Sequence, residues 1–379
     1  MKLAYIVGSF PSPSETFIAR EVSALRDRGV DVGVFPLWPA GDGGEPRPAP
    51  SRRSVGGQAA GMLDAAACLL RCLPGAGLRP MAQALRRVPR AVAIAAQVTA
   101  YGFERVHAQF GNVPSTVGWL AARRSGRPFS FAVHARDVFV EAQFLRRKAR
   151  AADRIIACNT AAADRTAQLV DPSDREKIRL VPHGLPLDDW AFEERPNESR
   201  RPLVLGVGRL VEKKGFVHLV RAMARVRHAA CWLVGDGPRR AELAGEIATL
   251  GLQDRVKLRG WLAPAAVREA YRRASLLGAP SVVATDGDMD GLPNVLLEAA
   301  AVGLPIVGTR VGGLGDLLVD GHTALVAEPG QPDDLAEKVQ AALDDLAASR
   351  RRAQRARAEV EARFDQKRTI SQLLDALPS

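Results

Sequence analysis

Short apolar runs alternate with helix-length stretches along this chain, and the whole alternation occurs twice. A pattern of that kind points to parallel strands joined by helical crossovers, because a parallel pair needs a long return connection. In the first half the strand-like runs are Lys2–Val7, Val30–Pro36, Arg105–Ala108, Phe129–His134, Arg154–Cys158 and Ile178–Val181. Helix-like stretches between them include Glu15–Arg28, Ala59–Leu73, Met81–Gly102 and Thr116–Arg124, and the Gly/Pro/Ser-rich segment Gly41–Gly57 reads as a loop. After a turn-rich link, Pro182–Arg201, the strands resume at Leu203–Val207, Ala230–Val234, Val256–Arg259, Leu276–Ala279, Pro305–Thr309 and Ala324–Val326. The tail from Asp333 to Leu377 reads as helical throughout, with Arg350–Arg357 exposed. The expected fold class is α/β, with two Rossmann-like domains whose mostly parallel sheets face a central cleft. Residues 1–185 form the first domain, residues 186–359 the second, and a terminal helix over about 360–379 packs back on the first.

Composition removes several other classes. With 379 residues, 47% hydrophobic and 25% charged, the chain can fill two cores and is neither disordered nor fibrous. The longest apolar run, near Ala91–Gly102, is too short and interrupted to span a bilayer, and the opening MKLAYIVGSFP reads as a buried strand rather than a secretion signal. Four cysteines are too few for a disulfide framework; reduced thiols in a cytoplasmic protein are expected. Cys68 and Cys72 stand four apart on a helix with no His or Cys cluster beside them, which argues against a zinc site there.

Lys and Arg exceed Asp and Glu by 53 to 42, and the excess is uneven: 27 against 19 up to Arg195, then 26 against 23. A basic first half suits an anionic membrane surface, a phosphorylated ligand or nucleic acid; it also suits arginines that merely solvate helix faces. No nucleic-acid-binding motif accompanies the charge, so a nucleic-acid partner is not expected.

Open α/β sheets bind ligands beyond the carboxyl ends of their strands. The residues that could carry chemistry sit there. In Asp290-Gly-Leu-Pro-Asn-Val-Leu-Leu-Glu298, the amides of Gly291, Leu292, Pro293's neighbour Asn294 and the helix behind them form an anion pocket, with Glu298 placed for a ribose diol. An ordinary capped helix with Glu298 at the surface is the plain alternative. Gly206-Val-Gly208-Arg209-Leu-Val-Glu-Lys213-Lys214-Gly215 follows a strand and offers close backbone approach plus positive charge for a diphosphate; it is neither a Walker loop nor a dinucleotide fingerprint. Val234-Gly235-Asp236-Gly237-Pro238 makes another post-strand turn. Gly260-Trp261 could offer backbone groups to a nucleobase, with the Trp261 ring expected in the core. In the first half, His134 ends a strand. Ser14, Glu15 and Thr16 open a helix, as an N-cap region or as acceptor-side amides, and His107 and Phe110 could line an acceptor.

GVGRLVEKKG, LVGDGP, VKLRGW, DGLPNVLLEA and GTRVGGLGDLL occur in this order, preceded by SFPSPSETFIARE, HAQFG and FAVHARD. Together they resemble family-four retaining glycosyltransferases of GT-B fold, over nearly the whole chain. The resemblance implies that Arg209 and Lys214 neutralise a donor diphosphate and that Glu298 holds the ribose. It also implies that His134 lies near the donor sugar, and that Asp290 takes the first acidic position of a Glu-x7-Glu pair, one methylene shorter than usual. It further implies retention of configuration, a nucleotide sugar as co-substrate (UDP first, GDP second) and no metal or other cofactor. The acceptor would be a lipid-linked saccharide or a small metabolite such as an aminoglycoside. A GT-B nucleotide-sugar epimerase is the alternative within the fold.

Overall fold

The computed structural model describes residues 1–12, 15–38, 55–70, 78–192 and 201–377. The loop expected over Gly41–Gly57 falls largely outside these, as do Ser14 and Cys72. The chain divides into two compact units, Met1–Gly184 with Lys367–Ser379, and Leu185–Gln366.

The first unit contains six parallel strands: β1 (Lys2–Val7), β2 (Asp31–Pro36), β3 (Arg105–Ala108), β4 (Phe129–Val133), β5 (Arg154–Ala157) and β6 (Ile178–Leu180). Their order in the sheet is β2-β1-β3-β4-β5-β6. Leu3 through Val7 of β1 are all inaccessible to solvent, as an unbroken apolar run requires when helices cover both faces. On one face lie the helices Leu78–Ala100 and Val113–Ser125. On the other, the helix Thr16–Asp27 buries Ile18, Val22 and Leu25, one stripe at helical spacing. The terminal helix Gln366–Ala376 adds Ile370 and Leu373 to the same core, which is why the chain returns to this unit.

The second unit repeats the plan with β7 (Leu203–Val207), β8 (Ala230–Val234), β9 (Val256–Gly260), β10 (Leu276–Ala279), β11 (Ile306–Thr309) and β12 (Leu325–Ala327), ordered β12-β11-β10-β7-β8-β9. Every strand pairing in both sheets is parallel. Chain direction across the sheet reverses between β7 and β10, so the crevice at their carboxyl ends is the place where such a sheet accepts a ligand. The corresponding reversal in the first unit lies between β1 and β3.

The tail departs from the expected continuous helix. It forms Pro332–Asp344, Leu346–Arg363 and Gln366–Ala376, broken at Asp345 and at Phe364–Asp365. Asp345 caps the second of these by accepting the Ala348 N–H at 2.8 Å. Arg357, expected at the surface, is partly buried because its guanidinium donates to the carbonyls of Trp190 and Ala301.

Candidate functional site

The carboxyl ends of β7, β8 and β9 are knitted by their backbones. Gly208 N–H donates to Val234 O at 2.9 Å, Gly235 N–H to Gly260 O at 2.7 Å, and Leu210 N–H to Asp236 O at 2.9 Å. Gly235 has a φ of +133°, and a Cβ on it would stand 1.9 Å from the Gly208 carbonyl oxygen. Only glycine lets these two turns touch. Gly215 is equally constrained: its φ is +63°, and a Cβ there would lie 1.8 Å from Pro280 O. That close approach brings the turn Glu212–Lys214 against the segment leaving β10.

The result is a charged cluster at the β7/β10 crevice. Lys214 Nζ donates to Asp290 Oδ2 at 2.9 Å, and Ser281 Oγ donates to the same oxygen at 2.7 Å. Lys213 Nζ lies 3.1 Å from Asp288 and 4.0 Å from Asp290. The helix Asn294–Ala301 takes Pro293, not Asp290, at its N-cap position, so the alternative of an ordinary helix capped by this acid does not hold. The alternating Asp286, Asp288 and Asp290 do not gather into a cation cage, since two of the three carboxylates face lysines. Arg209 is exposed at the mouth of the same loop and has no carboxylate partner among the described residues. Lys214 is thus held in place by the Asp290 carboxylate, which Ser281 fixes in turn, while Arg209 stays open to an incoming anion.

The helix Asn294–Ala301 starts after Pro293 without a side-chain cap, leaving its first amides unclaimed by any capping side chain. One turn in, Glu298 is buried and accepts a hydrogen bond from Tyr271 OH at 3.1 Å. Tyr271, itself fully buried and edge-on to Trp190, was not singled out by its sequence context; the apolar stripe of the helix Pro264–Arg273 is the signal that could have marked it. Ser281 likewise escaped notice, lying in a segment without a motif. The expectation for the Trp261 ring is overturned. It is 66% exposed, because β9 is the sheet edge and the chain leaves it with solvent on one side.

In the first unit, strands β4, β5 and β6 deliver His134, Cys158 and His183 just beyond their carboxyl ends. His134 Nε2 and His183 Nε2 are 3.0 Å apart, and the rings stack at 15°. Phe17 lies against His183 and Phe110 against His134, with centroids 4.1 and 4.5 Å apart. His134 also starts the short helix Ala135–Phe139, its N–H donating to Asp137 Oδ2 at 2.9 Å. Behind His183 stands Glu21, 3.8 Å from Nδ1, which accepts from Tyr5 OH and from Gln109 Nε2. Burial pushes the Glu21 carboxyl up, but hydrogen bonding to His183, the His183 charge and the Tyr5 hydroxyl outweigh it and hold the acid below its usual range. Burial pushes His183 down, and the hydrogen bond and charge of Glu21 pull it partly back.

His107 requires a correction. It lies inside β3, is inaccessible, and pairs through Nδ1 with Ser130 Oγ at 2.9 Å, so it lines no acceptor surface. Burial lowers its pKa to about 4. Glu15 occupies the N-cap position of the helix Thr16–Asp27 but makes no side-chain cap bond, and Ser14 lies outside the described residues. Phe110 does belong to the aromatic wall beside His134.

Residues 201–345 match the family described as "Glycosyl transferases group 1", and residues 14–189 match "Glycosyltransferase Family 4". The lipopolysaccharide core biosynthesis glycosyltransferase LpsD of Rhizobium meliloti is 32% identical over 46% of this chain and 48% of its own length. The 2-deoxystreptamine glucosyltransferase of Streptomyces kanamyceticus is 31% identical over 51% and 49%. The chain therefore spans about half the length of these curated relatives. The solved structure of Anabaena Alr3699/HepE in complex with UDP-glucose superposes with a TM-score of 0.70 at 20% identity, covering 100% of both chains. This likeness bears out the expected GT-B fold. One family matches most of the first unit and the other most of the second, so the chain carries a Glycosyltransferase Family 4 domain followed by a Glycosyl transferases group 1 domain.

Proposed function

We propose that the protein transfers a hexose or N-acetylhexosamine from a nucleoside-diphosphate sugar to an acceptor hydroxyl, with retention of configuration and no metal ion in the reaction. A UDP-sugar is the first choice of donor, a GDP-sugar the second. The observation that carries this reading is the β7/β10 crevice, where Lys214 is anchored on Asp290, itself fixed by Ser281, beside an open Arg209. The bound UDP-glucose in the HepE structure supports the choice of donor.

Breaking the anomeric C–O bond leaves its electron pair on a phosphate oxygen and positive charge on the sugar ring. Fixed cations and amides oriented before the reaction lower that barrier most. Arg209 and Lys214 are the cations, and Gly291, Leu292 and Asn294 contribute amides at the start of the helix. The acceptor oxygen forms the new bond and its proton passes to the departing phosphate. Glu298, oriented by Tyr271, holds the ribose hydroxyls, while His134 lies on the sugar side. Gly208, Gly235 and Gly237 let the backbone approach the diphosphate, and the amide after Gly260 meets the base.

The acceptor is a saccharide or a small polyhydroxy metabolite, as the names of the curated relatives suggest. The basic first half fits a lipid-linked acceptor met from the cytoplasmic side of an anionic membrane. No helix among the described residues is long and apolar enough to cross one.

Melting with UDP-, GDP- and TDP-sugars tests the donor. A true donor at one hundred times its Kd stabilises the native state by about 2.7 kcal/mol. Incubation with the stabilising donor and candidate acceptors, with the product's anomeric coupling read by NMR, tests transfer and retention. Lys214→Ala and Glu298→Ala should each remove most turnover with the fold intact. Full turnover in both variants refutes the site, and epimerised donor without coupled product favours the epimerase.

A further inference from the structure

We propose that His134, Cys158 and His183 form a binding site for one divalent cation of the zinc type. Three neighbouring strands each deliver one ligand from the carboxyl edge, and the two imidazole nitrogens and the thiol sulfur all lie within 4.8 Å of one another. Zinc takes nitrogen at about 2.0–2.1 Å and sulfur at about 2.3 Å, so tetrahedral ligation sets N···N near ~3.4 Å and N···S near ~3.6 Å. The 3.0 Å between the two Nε2 atoms needs only a slight opening, and with all three ligand atoms within 4.8 Å the sulfur needs to close by about 1 Å at most.

The surroundings match what ligating groups require. Zinc-bound histidines characteristically direct their second nitrogen at a carboxylate, which fixes the tautomer and raises ligand basicity. Each histidine here has a carboxylate near that nitrogen, although His134 Nδ1 makes no hydrogen bond. His183 Nδ1 lies 3.8 Å from Glu21 Oε2, and His134 Nδ1 lies 3.4 Å from Asp137 Oδ2. Asp137 is 1% exposed, and its Oδ1 has no hydrogen-bond partner. Asn159 Nδ2 donates to Cys158 Sγ at 3.2 Å, which orients the sulfur. Phe17 and Phe110 supply an apolar wall, which limits water around the ligands.

The protons balance. With His183 carrying its proton on Nδ1 toward Glu21, His183 Nε2 is a bare lone pair and His134 Nε2 donates to it. On binding, the His134 proton moves to Nδ1, toward Asp137, and the Cys158 thiol proton leaves for solvent. One proton is released per ion. Three protein ligands leave the fourth position open, as in zinc sites that accept water or a substrate oxygen. The bound ion would take His134 out of use for the sugar and so act as an inhibitor of transfer.

The test reads metal binding rather than transfer, so it stands apart from the glycosyltransferase reading. The chelator-treated full chain is titrated with ZnCl2 by calorimetry in two buffers of different ionisation enthalpy, then with CoCl2 by absorbance. One ion per chain, about one proton released and a thiolate-to-cobalt charge-transfer band are expected. Cys158→Ser should lose the band and bind zinc at least tenfold more weakly. Glu21→Gln, which touches no ion, should weaken binding about tenfold through His183. If Cys158→Ser melts early, His183→Asn replaces it. Zinc uptake by the folded ligand variants equal to the parent's, or a cobalt spectrum without thiolate character, overturns the site.

Discussion

Gly235→Ala tests the geometry on which the phosphate crevice rests. The new methyl carbon would start 1.9 Å from Gly208 O, whereas real Cβ contacts essentially never fall under 3.0 Å, so the β7 and β8 turns must part by about 1.1 Å. The φ of +133° adds backbone strain of about 1–2 kcal/mol for a residue with a side chain. Overpacking against backbone that cannot rotate away adds roughly 1–3 kcal/mol. The sum is about 2–5 kcal/mol, carried by a unit of residues 185–366. For a body of that size each kcal/mol moves Tm by roughly 2–4 °C, so a fall of roughly 5–15 °C is expected. The parting also moves the Gly208–Leu210 turn, and Arg209 with it, off the position where a diphosphate would bind. Differential scanning calorimetry with and without UDP reads both effects: an earlier transition, and a smaller UDP-induced upshift. A variant that melts within about 2 °C of the parent and keeps its full response to UDP would refute the argument that this contact shapes the crevice.

Asp290→Asn should keep the Ser281 bond but leave Lys214 without its charged partner, lowering stability by about 1–3 kcal/mol and loosening the lysine; unchanged melting and turnover would remove Asp290 from the anchoring role. Lys148→Met strips the donors from Gly111 O, Asn112 O and Ser115 Oγ in a fully buried setting; urea titration should show a loss of about 2–4 kcal/mol, and a loss under 1 would refute the bonding. His107 is held neutral, with a folded pKa of about 4 against about 6.5 unfolded. The unfolded chain therefore binds the extra proton between those values, and stability drains away as pH falls from about 6.5 to 4, by about 3 kcal/mol at most. His107→Gln should flatten that part of the pH–stability curve, and an identical slope in the variant would count against it.

The strands were legible almost to the residue because each lies between helices and reads as an apolar run with a turn after it. β1, β3, β7, β8 and β10 carry the boundaries expected from the sequence. The tail was less legible: Arg350–Arg357 looks like solvated surface until the carbonyls of Trp190 and Ala301, remote in sequence, claim Arg357. Motifs located the turns carrying Arg209, Lys214, Asp290 and Glu298. Their partners Ser281 and Tyr271 could not be found in the same way, since hydrogen-bond partners brought together by tertiary packing leave no local periodicity. Trp261 failed for the converse reason, since an aromatic after an apolar strand reads as core unless the strand is known to be an edge. Glu21 sits on the polar side of an amphipathic helix in sequence and beneath His183 in space.

The route of the backbone has a practical corollary. Ile370, Leu373 and Leu377 lie among Leu3, Ile18 and Val22, although more than three hundred residues separate them along the chain. A protein cut after Gly184 would therefore expose an oily flank where its last helix belongs, and ribosomal synthesis cannot finish the amino-terminal body until the carboxyl-terminal one has emerged. Anyone wishing to study the former by itself would have to splice the final segment back onto it.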